Sequence, residues 1–549
     1  MTLTSPARRA VLVAVVTLAL SACSNGTAAP TGSGDAGPPR NGGSLVFAIT
    51  PGTSCLNPQA SPNSTTTATI ARAIVDSLVA QDADGRLYPW LAEKWEVTDG
   101  GRGYLFTLRK DVKFHDGTPF DAAAVKANFD HIVRPETKSQ YAASLFGGAY
   151  EGTEVIDRHT AKVIFSRPFA PFLQATSTAN LGIQSPKALA EFGDKLCAGG
   201  EYTVGTGPFR AERHIKNQGV ELVRNPDYAW GPDIEGRKGP AHLDRLTFRF
   251  LPEETVRVGA LTSGQAQVAV LPVTSVGRVS KDPSYAYHQR RQPGESDSLF
   301  LNTSRAPFDN EGVRRAFLRA IDLDPIIKGV YFGVYERAWS PLSPATLGYE
   351  PSLEGSWKHD RAEAERLLDA AGWTGRDSAG YRTRDGRRLT VEWPYLDQSA
   401  QANSVGEAIQ ADVKKVGIEL VRRSIDTGTY WDLLHNGRYD IWQIGYVRAE
   451  PDVLTGFFLS TSLPNSGGQN AARVGDPQVD AWLREGAAST DEAARVRAYQ
   501  QVQRWAVEKA VVLPLAVTAT TVGASRSVQG LAFDADGRPL FTGVWLTTS

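Results

Sequence analysis

The sequence offers little that is arranged for covalent chemistry. Its 8 histidines are scattered. None falls in an H-E-x-x-H pair, and no two cysteines have the spacing of a zinc site. There is no G-x-S-x-G elbow, Walker A loop or dinucleotide-type glycine fingerprint. No metal and no cofactor are therefore expected, and no positive case for an enzyme arises. The residues that could do chemistry are better suited to holding a ligand. Gly445-Tyr446-Val447-Arg448-Ala449-Glu450-Pro451-Asp452 places a guanidinium close to two carboxylates. A planar guanidinium suits a carboxylate or phosphate on a ligand. The alternative is that Arg448 pairs with Glu450 or Asp452 as a structural support. Around this segment Trp393, Tyr395, Trp431, Trp442 and Tyr446 form an aromatic-rich stretch. Strand alternation places Trp393 and Tyr395 on one face. Tyr395 and Tyr446 are expected to line a cleft, as aromatics commonly do, and Trp442 to lie in a core.

The 3 cysteines divide into two groups. Cys55 and Cys197 belong to the globular part, and in an exported protein such a pair commonly forms a disulfide. The alternative is two isolated buried thiols. Cys23 follows Arg8, Arg9 and an apolar run over residues 10–20, which is shorter than the roughly 20 residues that span a bilayer. Leu20-Ser21-Ala22-Cys23 resembles a bacterial lipobox, in which the cysteine is lipidated. Residues 1–22 are then a signal peptide. The alternative is ordinary cleavage near Ala22 with Cys23 incidental. The Gly-, Pro-, Ser- and Ala-rich composition of 23–43 is that of a flexible tether.

The chain as a whole, at 41% hydrophobic and 22% charged, can bury a large core. Its length exceeds what one core usually supports, so at least two lobes are expected. A net charge of −1 favours neither nucleic acid nor an anionic membrane surface. Strand patterns fall at 43–49, 163–165, 219–223, 246–251, 389–393, 418–421 and 439–444. Tyr104, Phe106 and Leu108 alternate as in a half-buried strand. Helices are expected at 71–78, 311–321, 360–371 and 402–416. Another follows Asp121, with Val125, Phe129 and Ile132 on one face. Asp121 and Asp360 are placed as N-caps. Strands alternating with helices argue for α/β lobes.

Five segments, in order, resemble the bacterial extracellular solute-binding proteins of family 5. They are 85–97 (GRLYPWLAEKWEV) running into 104–120 (YLFTLRKDVKFHDGTPF); Val204-Gly205-Thr206-Gly207-Pro208-Phe209; 299–322 (LFLNTSRAPFDNEGVRRAFLRAID); 359–373, ending in Ala371-Gly372-Trp373; and Tyr439-Asp440-Ile441 leading into Gly445-Tyr446 and Pro451-Asp452. Most of these residues are expected to be structural: Trp95, Phe106, Leu108, Phe114 and Phe120 as core, Gly117 and Gly207 in turns, Arg314 and Arg315 at the surface or in ion pairs.

The resemblance implies an α/β, two-lobed periplasmic-binding-protein-like fold of type II, with an extra subdomain and a hinge. One lobe would comprise 44–65, 185–290 and 510–549, with a subdomain of 66–184 attached. The other would be 291–509. It further implies a lipid-anchored extracytoplasmic receptor, monomeric, that closes on a small solute, most readily a peptide, and delivers it to an ABC permease and its ATPase. A metal chelate, an opine or a sugar is the alternative ligand, and a secreted hydrolase on the same scaffold the alternative activity. Gly445, Tyr446 and Val447 would lie along the ligand, and Ser54, Leu56 and Asn57, which follow the first strand, would reach it from the other lobe. The segment is shorter than the oligopeptide-receptor pattern. The aspartate that takes a peptide's ammonium has no clear counterpart here, which leaves Glu450 or Asp452 for that role and Arg448 for an anionic group.

Overall fold

Strand Ser44–Ile49 shows how the first lobe is built. Leu45, Phe47 and Ile49 enter one core while Ala48 faces another, so both faces are covered. That is the environment of a central parallel strand, and it pairs in parallel with Arg245–Phe250 and Val268–Val270. The computed structural model describes residues 37–52, 55–397 and 399–547. Cys23, Ser54 and the proposed signal peptide lie outside these. The central strand belongs to a 7-stranded sheet ordered Tyr285–Arg291, Ala519–Ser525, Val268–Val270, Ser44–Ile49, Arg245–Phe250, Gly219–Arg224, Phe209–Ile215. A 4-stranded sheet follows the order Glu336–Arg337, Val512–Val517, Gly294–Leu301, Ile441–Val447, leaving the last strand at its edge. The parallel pair Thr390–Tyr395 and Glu419–Ser424 adjoins that edge through Asp440, whose amide donates to the Glu392 carbonyl at 3.0 Å.

The chain passes between these two sheets twice, at 291–294 and 517–519. The crossings touch where the Gln292 amide donates to the Thr518 carbonyl at 2.9 Å. Val512–Val517 is still in the 4-stranded sheet, so the tail enters the 7-stranded sheet at Ala519 and not at 510. A third, antiparallel sheet is made by Ala92–Thr98, Gly103–Leu108, Thr160–Phe165 and Tyr150–Asp157. Helix Ala122–Val133 covers it, with the Asp121 carboxylate accepting from the Ala124 amide at 3.1 Å.

Three local expectations are corrected. The helix expected at 71–78 is Thr65–Arg72, capped by the Ser64 hydroxyl. Its β-branched threonines are weak helix formers, but residues 66–72 are all buried and packing decides. It stops because the Ala73 and Ile74 carbonyls accept from the Phe209 and Gly207 amides at 3.0 and 2.8 Å. Gly207 therefore serves a close backbone approach and not a turn: a Cβ there would lie 2.6 Å from the Ile74 carbonyl carbon. Arg314 is buried, donating to the Phe308 and Lys509 carbonyls that end neighbouring segments.

Asp76, 0% exposed, accepts from the Trp230 indole at 2.8 Å and the Thr206 hydroxyl at 2.9 Å. Burial pushes its pKa from 3.8 up to about 6, against those hydrogen bonds. The folded state thus holds this proton more tightly than the unfolded chain. Its stabilising contribution is complete below pH 3.8 and is lost as pH rises through about 6. The difference is worth roughly 3 kcal/mol. Buried His115, lowered to about 4, works in the opposite sense, so the effect is read as a difference between proteins. Denaturant titrations of Asp76→Asn and the parent should show the variant gaining relative stability, up to about 3 kcal/mol, from pH 4 to pH 7. A pH-independent gap would contradict the assignment.

Candidate functional site

The edge strand Ile441–Val447 runs toward the crossings and delivers Tyr446, Val447 and Arg448 to the junction of the two large sheets. Its partner opposes it in the register Gly294↔Val447 and Glu295↔Tyr446, then slips through a bulge to Ser298↔Ile444. Gly294 makes this approach possible. Its φ is +105°, and a Cβ there would stand 2.1 Å from the Tyr446 carbonyl oxygen and 2.6 Å from the Arg448 nitrogen. Gly445 faces the bulge, where a Cβ would lie 3.1 Å from the Asp297 Cα.

Tyr446 joins two cores. Its ring meets Tyr141 from the third sheet's neighbourhood at 5.7 Å and Phe457 at 5.9 Å, both edge-on. The Val447 carbonyl accepts from Asn63 Nδ2 at 3.2 Å, and the Ala449 amide donates to Asp536 Oδ1 at 3.0 Å. Between these two contacts sits Arg448, 8% exposed. Its amide donates to the Pro293 carbonyl at 3.2 Å. Its Nε and Nη2 are buried and have no hydrogen-bond partner among the described residues. Burial works against its charge, but Tyr141, Asp452, Glu450 and Tyr446 outweigh that and keep its pKa above the ordinary arginine value. The site therefore holds a permanent cation whose buried Nε and Nη2 lack partners among the described residues, a costly arrangement for those donors unless something completes it.

The two nearby carboxylates do not complete it. Glu450 is taken by Arg495 in a buried ion pair. Asp452 accepts from the Tyr499 hydroxyl at 2.9 Å and the Thr455 hydroxyl at 2.6 Å. Arg448 makes no ion pair with either among the described residues, although both carboxylates favour its charge. The contacts with Arg495, Tyr499 and Thr455 engage Oε1 of Glu450 and Oδ1 of Asp452. The segment Ala449-Glu450-Pro451 walls a cavity of about 350 Å³ that Trp95, Gln174 and Arg495 also line.

Other expected residues lie apart. Tyr395 stacks under the Arg422 guanidinium at 4.3 Å, in the parallel pair, and does not join Arg448. Trp393 and Trp442 are buried core. Asn57 is buried and committed: its Oδ1 accepts from the Gln59 amide at 3.1 Å and Gln184 Nε2 at 3.0 Å. It braces the chain beyond the first strand. Beside it Cys55 and Cys197 are joined by a disulfide. Tyr141, Asn63 and Asp536 carried no signal in the sequence, because each meets the site only through the meeting of separately folded elements.

Two α/β sheets linked by paired crossings, with a third sheet packed beside them, are the architecture of a solute-binding protein. The chain belongs to the bacterial extracellular solute-binding proteins of family 5, whose sequence model matches residues 86–468. It is 28% identical over 463 residues to the nickel-binding periplasmic protein of Escherichia coli K12, covering 80% of this chain and 83% of that one. It is 30% identical over 492 residues to di/tripeptide-binding protein 4 of Pseudomonas aeruginosa, covering 84% and 86%. Among solved structures it is similar to NikA from Brucella suis in complex with Fe(III)-EDTA, with a TM-score of 0.78, 28% identity and coverage of 92% and 100%. The family and these relatives are binding proteins of solute transport.

Proposed function

We propose that this protein captures a small carboxylate-bearing solute, a short peptide, between its lobes and delivers it to an ABC importer. The buried Arg448, with Nε and Nη2 unpaired among the described residues, carries this reading. A carboxylate matches both free donors at once and neutralises a charge that burial makes expensive. The peptide class is supported by the di/tripeptide-binding relative. Similarity to a protein that holds Fe(III)-EDTA, itself a polycarboxylate, supports a metal chelate as the second reading. The crossings at 291–294 and 517–519 serve as the hinge, with lobes divided near the boundaries read from the sequence. The receptor acts outside the cytoplasm as a monomer. Lipidation at Cys23 and a tether through 43 rest on the sequence 20–23 and its neighbours alone.

A thermal-shift series tests the ligand class. Ala-Ala should raise the melting temperature, Ala-Ala amide should do so far less, and a neutral oligosaccharide should do nothing. At a hundredfold excess over Kd the stabilisation is about 2.7 kcal/mol. Stabilisation by Fe(III)-EDTA and not by Ala-Ala would replace the peptide by a chelate. Turnover of any bound compound would overturn the receptor reading.

A further inference from the structure

The main chain on either side of Arg448 is held by side chains from outside its own sheet. Asn63, 384 residues away in sequence, donates to the Val447 carbonyl at 3.2 Å. Asp536, 87 residues away, accepts from the Ala449 amide at 3.0 Å. Both contacts are to backbone, so they fix the path of the chain whatever the side chains at 447 and 449. Asp536 is itself prepared for this. It stands at the tip of a hairpin formed by Ala532–Phe533 and Pro539–Leu540. Asp534 closes the hairpin, its carboxylate accepting from the Arg538 amide at 2.8 Å and its carbonyl from the Gly537 amide at 2.9 Å. Gly537 takes φ +78° there, a conformation that suits glycine. Asp536 divides its two oxygens: Oδ2 accepts from Arg538 Nη1 at 2.6 Å, and Oδ1 reaches across to Ala449. Arg538 is 3% exposed and also faces Asp534 at 3.7 Å.

We infer that Asn63 and Asp536 are positioning residues for Arg448: a two-point clasp, formed as the lobes close, that orients its guanidinium for the ligand. This rests on the reading of Arg448 as the group that holds the solute's carboxylate. The physical reason is geometric. An arginine side chain has many rotamers, and a bidentate grip on a carboxylate demands one of them. Pinning the backbone at residues 447 and 449 restricts where the stem of Arg448 starts and so which rotamers reach the cleft. A charged acceptor makes the Asp536 contact the stronger of the two. The clasp also ties capture to closure, because the orienting contacts exist only when both sides meet.

Two measurements on the purified, disulfide-intact protein test it. The first compares affinity for Ala-Ala with that for Ala-Ala amide in the parent, Asp536→Ala, Asn63→Ala and Asp536→Asn. The parent should favour the acid by about tenfold or more. The preference should shrink to about twofold in the two alanine variants and be largely kept in Asp536→Asn, whose side-chain oxygen still accepts from Ala449. Alanine variants that retain the parent's preference overturn the inference. The second needs no ligand. Amide hydrogen exchange at Ala449 should accelerate about tenfold or more in Asp536→Ala, with a larger radius of gyration in solution scattering. Unchanged exchange and scattering overturn the clasp even if the peptide arm is silent. A parent that does not distinguish acid from amide defeats the carboxylate reading instead and leaves the exchange measurement to judge the clasp.

Discussion

Arg448→Met should weaken binding of a carboxylate-bearing dipeptide by a hundredfold or more while lowering the stability of the ligand-free protein far less. The two halves of that result share one cause. Methionine keeps much of the stem's volume and removes the charge. In the ligand-free protein the guanidinium's Nε and Nη2 have no partner among the described residues, so losing them breaks no hydrogen bond of theirs; what is lost is the attraction of Asp452 and Glu450, part of which is offset by the relief of desolvation. In the complex the same loss leaves the ligand's carboxylate buried and unpaired, a penalty of about 2–5 kcal/mol, and about 2.8 kcal/mol is a hundredfold in affinity. Titration calorimetry and thermal melts on the same preparations read both. A structural arginine would behave in the reverse manner, lowering stability and leaving affinity nearly intact. That outcome would return Arg448 to the role of support, which the commitments of Glu450 to Arg495 and of Asp452 to Tyr499 argue against.

The second large effect concerns stability. Cys55 and Cys197 close a loop across a sequence separation of 142 residues. In the chain-entropy description, a crosslink over so long a loop constrains the unfolded chain by about 5 kcal/mol. Replacing both cysteines by serine should therefore lower the melting temperature by several degrees, and reductant should do the same to the parent. The bond also sits beside the first strand's exit, where the Leu56 amide donates to the Cys197 carbonyl at 2.9 Å. Loss of the bond should free residues 55–57 locally before the lobe unfolds. Faster amide exchange at Leu56, at temperatures below the main transition, is the accompanying sign. An unchanged melting temperature after reduction, with both thiols alkylated, would show that the surrounding packing holds these segments by itself.

The contrast between these residues bears on what can be read without coordinates. Asp121 and Asp360 cap their helices, accepting from the amides of Ala124 and Glu363, because a cap involves residues three positions apart and is a local matter. The alternation of Tyr104, Phe106 and Leu108 marks a buried strand face for the same reason. The ordered family segments identify the class of protein, and the family's sequence model spans most of them, over residues 86–468. Where local propensity and packing disagreed, propensity lost: the helix near residue 70 begins six residues before its expected start, under burial of its threonines. Gly207 was legible as a residue that cannot carry a side chain, but its reason lay in Ile74, more than a hundred residues earlier.

At the site the division is sharper. By its residue types the sequence marked Arg448 as a cation among carboxylates and left open whether it pairs with them. Only the tertiary structure decided that Glu450 pairs with Arg495 and Asp452 bonds to Tyr499, that Tyr395 lies under Arg422, and that Asn63 and Asp536 flank the arginine. The reason is that a charge's partner is set by which surfaces meet when sheets pack and lobes approach. Strand register and lobe contact depend on the whole chain at once, and spacing along the chain does not encode them.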